Sequence, residues 1–236
     1  MTYLQFHLVF TLPVLAVLAI LHARRVVSGA WRWLGAVVAL AVAYTTPWDN
    51  YLVYRGVWTY PETAVVGTIG FVPVEEYAFF VIQTLIAGLF YLVLRARVVA
   101  EARPAPMPAW WRPALLATFL GLTALGIGLL VASTDHALYM GLILAWAPPV
   151  LAGMAFVGAQ KVWDERVRAF ISITVVTVYL WIIDRAAIGI GIWDIADPYR
   201  LHLDPLGLPI EEATFFVVTT TLCVFGLALF LPKAPR

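Results

Sequence analysis

The stretch Asp49-Asn-Tyr-Leu-Val-Tyr-Arg-Gly56-Val-Trp58, followed by Pro73-Val-Glu75-Glu76-Tyr-Ala-Phe79-Phe80, decides the architecture, because a second version of it follows later in the chain. That version reads Asp184-Arg-Ala-Ala-Ile-Gly-Ile-Gly191-Ile-Trp193, followed by Pro209-Ile-Glu211-Glu212-Ala-Thr-Phe215-Phe216. Asp to Gly is seven positions and Asp to Trp nine in both; Asp to the first Glu is 26 in one and 27 in the other. So many uncommon residues at matching offsets mark an internal duplication.

The residues around these motifs are apolar. Of 236 residues, 63% are hydrophobic and 12% charged, with a mean hydropathy of +0.90. A soluble domain carries roughly 25% charged residues, so this is the composition of an integral membrane protein. A net charge of +1 leaves no basic surface for nucleic acid. The single cysteine, Cys223, excludes a disulfide framework and a cysteine-based zinc site.

A bilayer core takes about 20 apolar residues per helix. Seven stretches qualify: Tyr3–Leu21, Trp33–Pro47, Glu75–Leu94, Ala114–Ser133, Ala137–Gly158, Val167–Ile183 and Glu211–Leu231. The second is the shortest and can extend toward Asp49, and the sixth can run on to Ile188. The expected fold class is an all-α integral membrane protein with seven transmembrane helices. Helices 1–3 and 5–7 form two parallel three-helix repeats joined by a linker, helix 4. One membrane domain then covers residues 1–236, with repeats over 1–98 and 137–232 and the linker helix over 112–133. An offset of four spans inserts both copies with the same polarity, which places both acidic motifs on one side of the membrane.

Charge sets the orientation. Arg24, Arg25, Arg32, Arg95, Arg97, Arg103, Arg112, Lys161, Arg166, Arg168, Lys233 and Arg236 fall on one side, and Arg55, Arg185 and Arg200 on the other. Positive residues stay cytoplasmic, so a cell-membrane protein with its N-terminus outside and its C-terminus inside is expected. Of the acids, only Glu101, Asp164 and Glu165 share the basic side. The topology rule does not require that sorting, and a functional face would explain it.

Pro73 and Pro209 suit helix starts, which puts Glu75, Glu76, Glu211 and Glu212 in first turns, where the helix dipole favours negative charge. The plain reading is of helix-start acids at the membrane interface. The doubling, together with Asp49 and Asp184 one loop earlier, favours chemistry, since ionisable residues are rare in spans. Adjacent helix positions point about 100° apart, so one acid of each pair faces the bundle while the other caps or anchors. Phe79 and Phe215 follow Glu75 and Glu211 by four residues, on the same face. An acid in an apolar pocket keeps its proton, and an aromatic face stabilises the cation formed when that proton is given away. Helix packing is the bland alternative for each phenylalanine.

The other polar residues carry less. His7, His22, His136 and His202 lack metal-ligand spacing and read as interfacial. Asp194, Asp197 and Asp204 resemble a magnesium–diphosphate cluster, but the first copy offers only Glu62 in the matching stretch, so no metal is expected. Gly189-Ile-Gly191 lacks the third glycine of a dinucleotide fingerprint.

The paired Pro-x-Glu-Glu and Asp…Gly-x-Trp motifs closely resemble the small integral-membrane lycopene cyclases of carotenoid biosynthesis, in their fused single-chain form, over nearly the whole chain. The resemblance implies a cofactor-free, redox-neutral isomerisation, an intramolecular-lyase reaction that takes lycopene through γ-carotene to β-carotene. A general acid protonates the terminal double bond, the neighbouring double bond closes the ring, and a proton is lost. It makes Glu75 and Glu211 the first candidates for proton donors, Glu76 and Glu212 the second, and Asp49 and Asp184 tuning or relay residues. Phe79, Phe215, Trp58 and Trp193 become candidates for substrate binding. The implied partners are lycopene and γ-carotene within the bilayer, with other carotenoid enzymes nearby. Asn50 and Tyr51 correspond to Arg185 and Ala186, so one composite site and two separate sites both stay open.

Two alternatives share these features: a cyclase of a longer (C50) carotenoid and a proton-coupled membrane transporter. A retinal photoreceptor needs a Schiff-base lysine within its last span, whereas Lys161 and Lys233 lie at span ends.

Overall fold

The computed structural model describes residues 1–23, 29–97, 105–132 and 134–232. Seven helices dominate it: α1 (Tyr3–Ala23), α2 (Ala30–Tyr54), α3 (Val74–Arg97), α4 (Trp111–Val131), α5 (Leu138–Asp164), α6 (Arg166–Ile190) and α7 (Ile210–Phe230). Four two-residue strands lie in the loops: β1 (Trp58–Thr59), β2 (Thr68–Ile69), β3 (Val72–Pro73) and β4 (Asp194–Ile195). Six helices are long and apolar enough to cross a membrane, which makes this a multi-pass membrane protein.

The helix outside that six is α2. It is long enough, with 25 residues, but Trp31, Arg32 and Trp33 at one end and Trp48, Asp49 and Asn50 at the other dilute its apolar middle. It also runs well past the expected end at Pro47, because a proline removes one backbone bond without stopping a helix held by its neighbours. α6 similarly continues to Ile190 and stops at Gly191, whose φ of +77° forms a left-handed cap. Asp49 and Asp184 therefore belong to the last two turns of helices and not to loops.

α3 and α7 form the centre and touch each other. α1, α2 and α6 pack around α3, and α2, α5 and α6 pack around α7. Ile86, Leu89 and Leu92 of α3 meet Val224 and Leu227 of α7 in a core that also takes Phe6, Leu34 and Leu180. α1 is interrupted by a π-helical turn over His7–Thr11, which ends two residues before Pro13. A proline that cannot donate its backbone bond favours such a local widening. The histidines His7 and His22 lie toward the two ends of α1 and are buried among neighbouring side chains. His7 spans from Thr11 Oγ1 (3.1 Å) to the Glu75 carbonyl oxygen (2.9 Å).

At one end of the bundle Glu165 joins Arg95 (3.1 Å) to Arg168 (2.9 Å), all three being nearly solvent-free. Arg95 also donates to the Pro232 carbonyl oxygen (2.6 Å), and Lys161 to that of Leu229 (2.5 Å). Asp49, the glutamate pairs and Asp184 gather at the opposite end. Arg24, Arg25, Glu101, Arg103, Lys233 and Arg236, which also entered the charge reading, lie outside the described residues, as do Val98 and Ser133 at the expected repeat and linker ends.

α4 stands on the outside, with Leu120, Leu125 and Ile127 about half exposed, and packs on α5. Gly126 permits the approach: a Cβ there would lie 2.5 Å from the Ala145 backbone nitrogen and 2.6 Å from the Leu144 carbonyl carbon. Small residues let membrane helices meet at backbone distance. Gly126→Leu is expected to lower stability in detergent by about 1–3 kcal/mol, the usual scale of overpacking. A thermal unfolding midpoint checks this, and an unchanged midpoint would contradict the packing described.

Candidate active site

The site is built where helix ends converge. α2 and α6 bring Asp49 and Asp184 in their last two turns, and α3 and α7 bring a glutamate pair in each first turn. Because neighbours on a helix diverge by about 100°, the two members of each pair take different tasks. Glu75 Oε1 accepts the Val66 backbone N–H (2.8 Å), and Glu211 Oε1 accepts that of Leu201 (2.6 Å). Each ties the preceding loop down onto its own helix start. Glu76 and Glu212 turn inward instead.

Glu76 Oε2 accepts from the hydroxyls of Tyr3 (2.7 Å) and Tyr60 (3.1 Å). Glu212 Oε1 accepts from Tyr139 (2.7 Å), and Asp184 Oδ1 from the Trp193 indole N–H (3.0 Å). Tyr3 precedes Glu76, and Tyr139 precedes Glu212, by the same 73 residues. Among the described residues no donor reaches Asp49 Oδ2, Asp184 Oδ2 or Glu212 Oε2. Tyr60 lies in the loop after β1, where burial and then the Glu76 carboxyl push its phenol well above its ordinary range, so it remains a donor.

These groups line one cavity with about 20 Å³ of free space. Its wall consists of Asp49, Glu76, Asp184 and Glu212, the tyrosines Tyr3 and Tyr139, and the rings of Trp48, Trp58, Phe79, Phe80, Trp193, Phe215 and Phe216. None of these described lining residues is a lysine or an arginine. Strands β1 and β4 pair antiparallel, Trp58 opposite Ile195 and Thr59 opposite Asp194, and so hold the two tryptophan loops together over the cavity.

Of the ten residues singled out from the sequence, eight line this cavity: Glu76, Glu212, Asp49, Asp184, Phe79, Phe215, Trp58 and Trp193. Glu75 and Glu211 do not, being turned onto backbone N–H groups. Tyr3, Tyr139, Trp48, Phe80, Phe216 and Tyr60 complete the site without having been foreseen. Phe80 and Phe216 stand beside the chosen phenylalanines in the quoted motif, and the tyrosines share a common spacing to their glutamates. Asp204, from the aspartate group once compared with a magnesium site, is paired with Arg200 (2.5 Å).

A buried acid ringed by aromatic faces can deliver a proton to an apolar molecule and stabilise the resulting cation. Comparison with known proteins agrees with that chemistry. No family model and no solved structure matches the chain. It is 39% identical over 231 residues to the lycopene beta-cyclase of Halobacterium salinarum, covering 97% of this chain and 95% of that protein. It is 39% identical over 203 residues to the bifunctional lycopene cyclase/phytoene synthase of Colletotrichum graminicola, covering 82% of this chain and 34% of that protein. The corresponding bifunctional protein of Phaffia rhodozyma is 35% identical over 247 residues, 97% of this chain and 36% of its own length. With a relative this similar matching along nearly its entire length, the chain belongs to the lycopene cyclase family.

Proposed function

We propose that this chain is a lycopene β-cyclase acting within the bilayer, and that Glu76 and Glu212 supply its protons. The observation that carries the reading is the single cavity holding four carboxyl groups and seven carbon-rich indole and phenyl rings. Four carboxyls in one apolar space without a neighbouring cation hold protons among them. One gives its proton to the terminal double bond of the polyene, leaving a tertiary carbocation against the ring faces. The neighbouring double bond attacks that carbon and closes a six-membered ring. The new cation loses a proton to a carboxylate of the same cluster, so the acid is restored and the product is an isomer of the substrate. Asp49 and Asp184 pass protons within the cluster, and Phe79, Phe215, Trp58 and Trp193 hold the reacting end. Glu75 and Glu211 act indirectly, by keeping the loops closed.

The architecture we infer is a duplication, residues 1–98 and 137–232 in one membrane domain, with helix 112–133 as the linker. Its support is in matched pairs: Tyr3 with Tyr139, Asp49 with Asp184, Trp58 with Trp193 and Glu76 with Glu212. Tyr44 donates to the Trp146 carbonyl oxygen (3.0 Å), as Tyr179 does to that of Phe10 (2.5 Å). With α2 counted as a span, the charge sorting favours an N-terminus outside the cell membrane and a cytoplasmic C-terminus. The substrates are then lycopene and γ-carotene drawn from the lipid. The fungal relatives, bifunctional with phytoene synthase by name, support neighbouring carotenoid enzymes as partners.

Expressed in lycopene-accumulating cells, the chain is expected to convert lycopene to β-carotene, read by pigment chromatography; unchanged lycopene with folded protein present would refute the function. Glu76→Gln and Glu212→Gln are expected to lower the conversion rate by roughly a hundredfold or more, the scale of general-acid catalysis. Glu75→Gln and Glu211→Gln, whose amide oxygens still accept the loop N–H groups, should keep most of it. The reverse ranking would return the donor role to Glu75 and Glu211. A protease-cleavable tag at the C-terminus should resist digestion in intact cells while one at the N-terminus is cut; the opposite pattern would invert the topology.

A further inference from the structure

A groove of about 260 Å³ opens on the outer face between α2, α5 and α7. Its floor includes Phe80 and Phe215, and these two residues also line the acid cavity. The groove therefore leads to the acids, with two phenyl rings between them. Along one side the rings are stacked nearly parallel: Tyr44 on Trp146 (5.0 Å between centroids, 13°), Trp146 on Trp48 (4.6 Å, 15°), and Trp48 on Phe215 (5.7 Å, 3°). Such a ladder offers a flat, polarizable face to a flat conjugated chain and continues into the cavity, where Trp48 and Phe215 meet the carboxyls.

A second groove lies between α1, α3 and α6, lined by Val14, Val17, Leu18, Ile86, Phe90 and Tyr179, among others. None of its described lining residues lines the acid cavity. On that side Phe6 packs on Phe10 (5.3 Å) and on Trp193 (5.1 Å), and His7 stacks on Phe79 (6.1 Å). These rings fill the path that the first groove leaves to Phe80 and Phe215.

We propose that the groove between α2, α5 and α7 is the lateral entrance for the linear polyene, and that both ends of one molecule reach the single acid cavity through it in succession. The proposal rests on the cyclase reading above. The first end enters from the lipid, displaces the Phe80 and Phe215 rings and is cyclised. The monocyclic product then withdraws into the bilayer and returns with its other end. The unreacted half stays in lipid throughout.

Gly226 lines the entrance, and a Cβ there would sit 3.5 Å from Val37 and 3.9 Å from Met154, ordinary contact distances. The Cβ of Gly226→Phe therefore meets side chains alone, placing the ring to fill the groove, and Ala41→Phe fills it from the facing wall. In lycopene-accumulating cells both variants are expected to leave lycopene unconverted by at least tenfold over wild type, with neither γ- nor β-carotene formed. Val17→Phe, which fills the second groove, should cyclise normally. Full cyclisation by Gly226→Phe and Ala41→Phe, or arrest at γ-carotene, would overturn the single entrance. If the wild-type chain leaves lycopene untouched, it is the cyclase reading that fails. A second measurement is independent of variant folding: wild-type proteoliposomes given lycopene with excess deuterated γ-carotene. Released intermediate should appear first as unlabelled γ-carotene in the lipid, and unlabelled β-carotene should lag behind it. Unlabelled β-carotene from the first turnovers would mean that the intermediate never leaves, contrary to the proposal.

Discussion

The arrangement depends on keeping carboxyl groups out of water at an acceptable cost. An ionised carboxylate in an apolar interior without a cation is among the least favourable groups a fold can hold, whereas a protonated or hydrogen-bonded one is tolerated. Glu212 is fully buried and Asp184 2% exposed, and each receives a single hydrogen bond, from a phenol and an indole. Those donors come from Tyr139, at the start of α5, and Trp193, in the loop before β4. Tyr3, at the start of α1, does the same for Glu76. The positions of two helix starts and two loops, the other loop carrying Tyr60, are thus tied to three of the four acids. One oxygen on Glu212, Asp184 and Asp49 remains without a donor among the described residues. This incomplete satisfaction carries a stability penalty, and on the proposed mechanism it leaves the proton-bearing atoms free to meet substrate.

The glutamates outside the cavity serve the same end. A loop over a membrane-embedded site has backbone N–H groups that need acceptors. Val66 and Leu201 find theirs in Glu75 and Glu211, which brings each loop onto the helix that carries the inward acid. The pairing of β1 with β4 then closes the two loops over one space. In the proposed mechanism that closure limits water, so a proton released inside has few acceptors other than the polyene and the neighbouring carboxyls.

Most of this architecture was legible in the amino-acid order. Long apolar runs located the helices, and the doubled motif located the acids and four of the six motif aromatics that line the cavity, Phe80 and Phe216 being passed over. The choice within each Glu-Glu pair was not legible. Helical periodicity separates adjacent residues by angle but gives no direction until a neighbour supplies a reference, and that neighbour is Tyr3 or Tyr139, many residues away. Those tyrosines themselves resemble the aromatic anchors common at membrane surfaces, so only their shared spacing of 73 residues could have singled them out. The reach of α2 past Pro47 was hidden for a related reason: local sequence favours a stop, and packing against α3 and α7 overrides it.

The two halves of the chain carry matching acids but unlike walls. Where α2 holds Trp48 against Trp146, the matching positions of α6 and α1 hold Ile183 and Phe10; where the first loop offers Tyr60 to Glu76, the second has Ile195. A carbocation is stabilised by aromatic faces and not by aliphatic ones, so equal acids set in unequal surroundings are not equal reaction stations. Lycopene has two identical ends, and after one cyclisation only the open end still needs recognition. A site that grips that end alone, and leaves the remainder in lipid, treats the linear and monocyclic molecules alike. On the entrance proposed above, twofold chemistry rests on a symmetric substrate and repeated entry, with the second half of the protein serving as the other wall of one cavity.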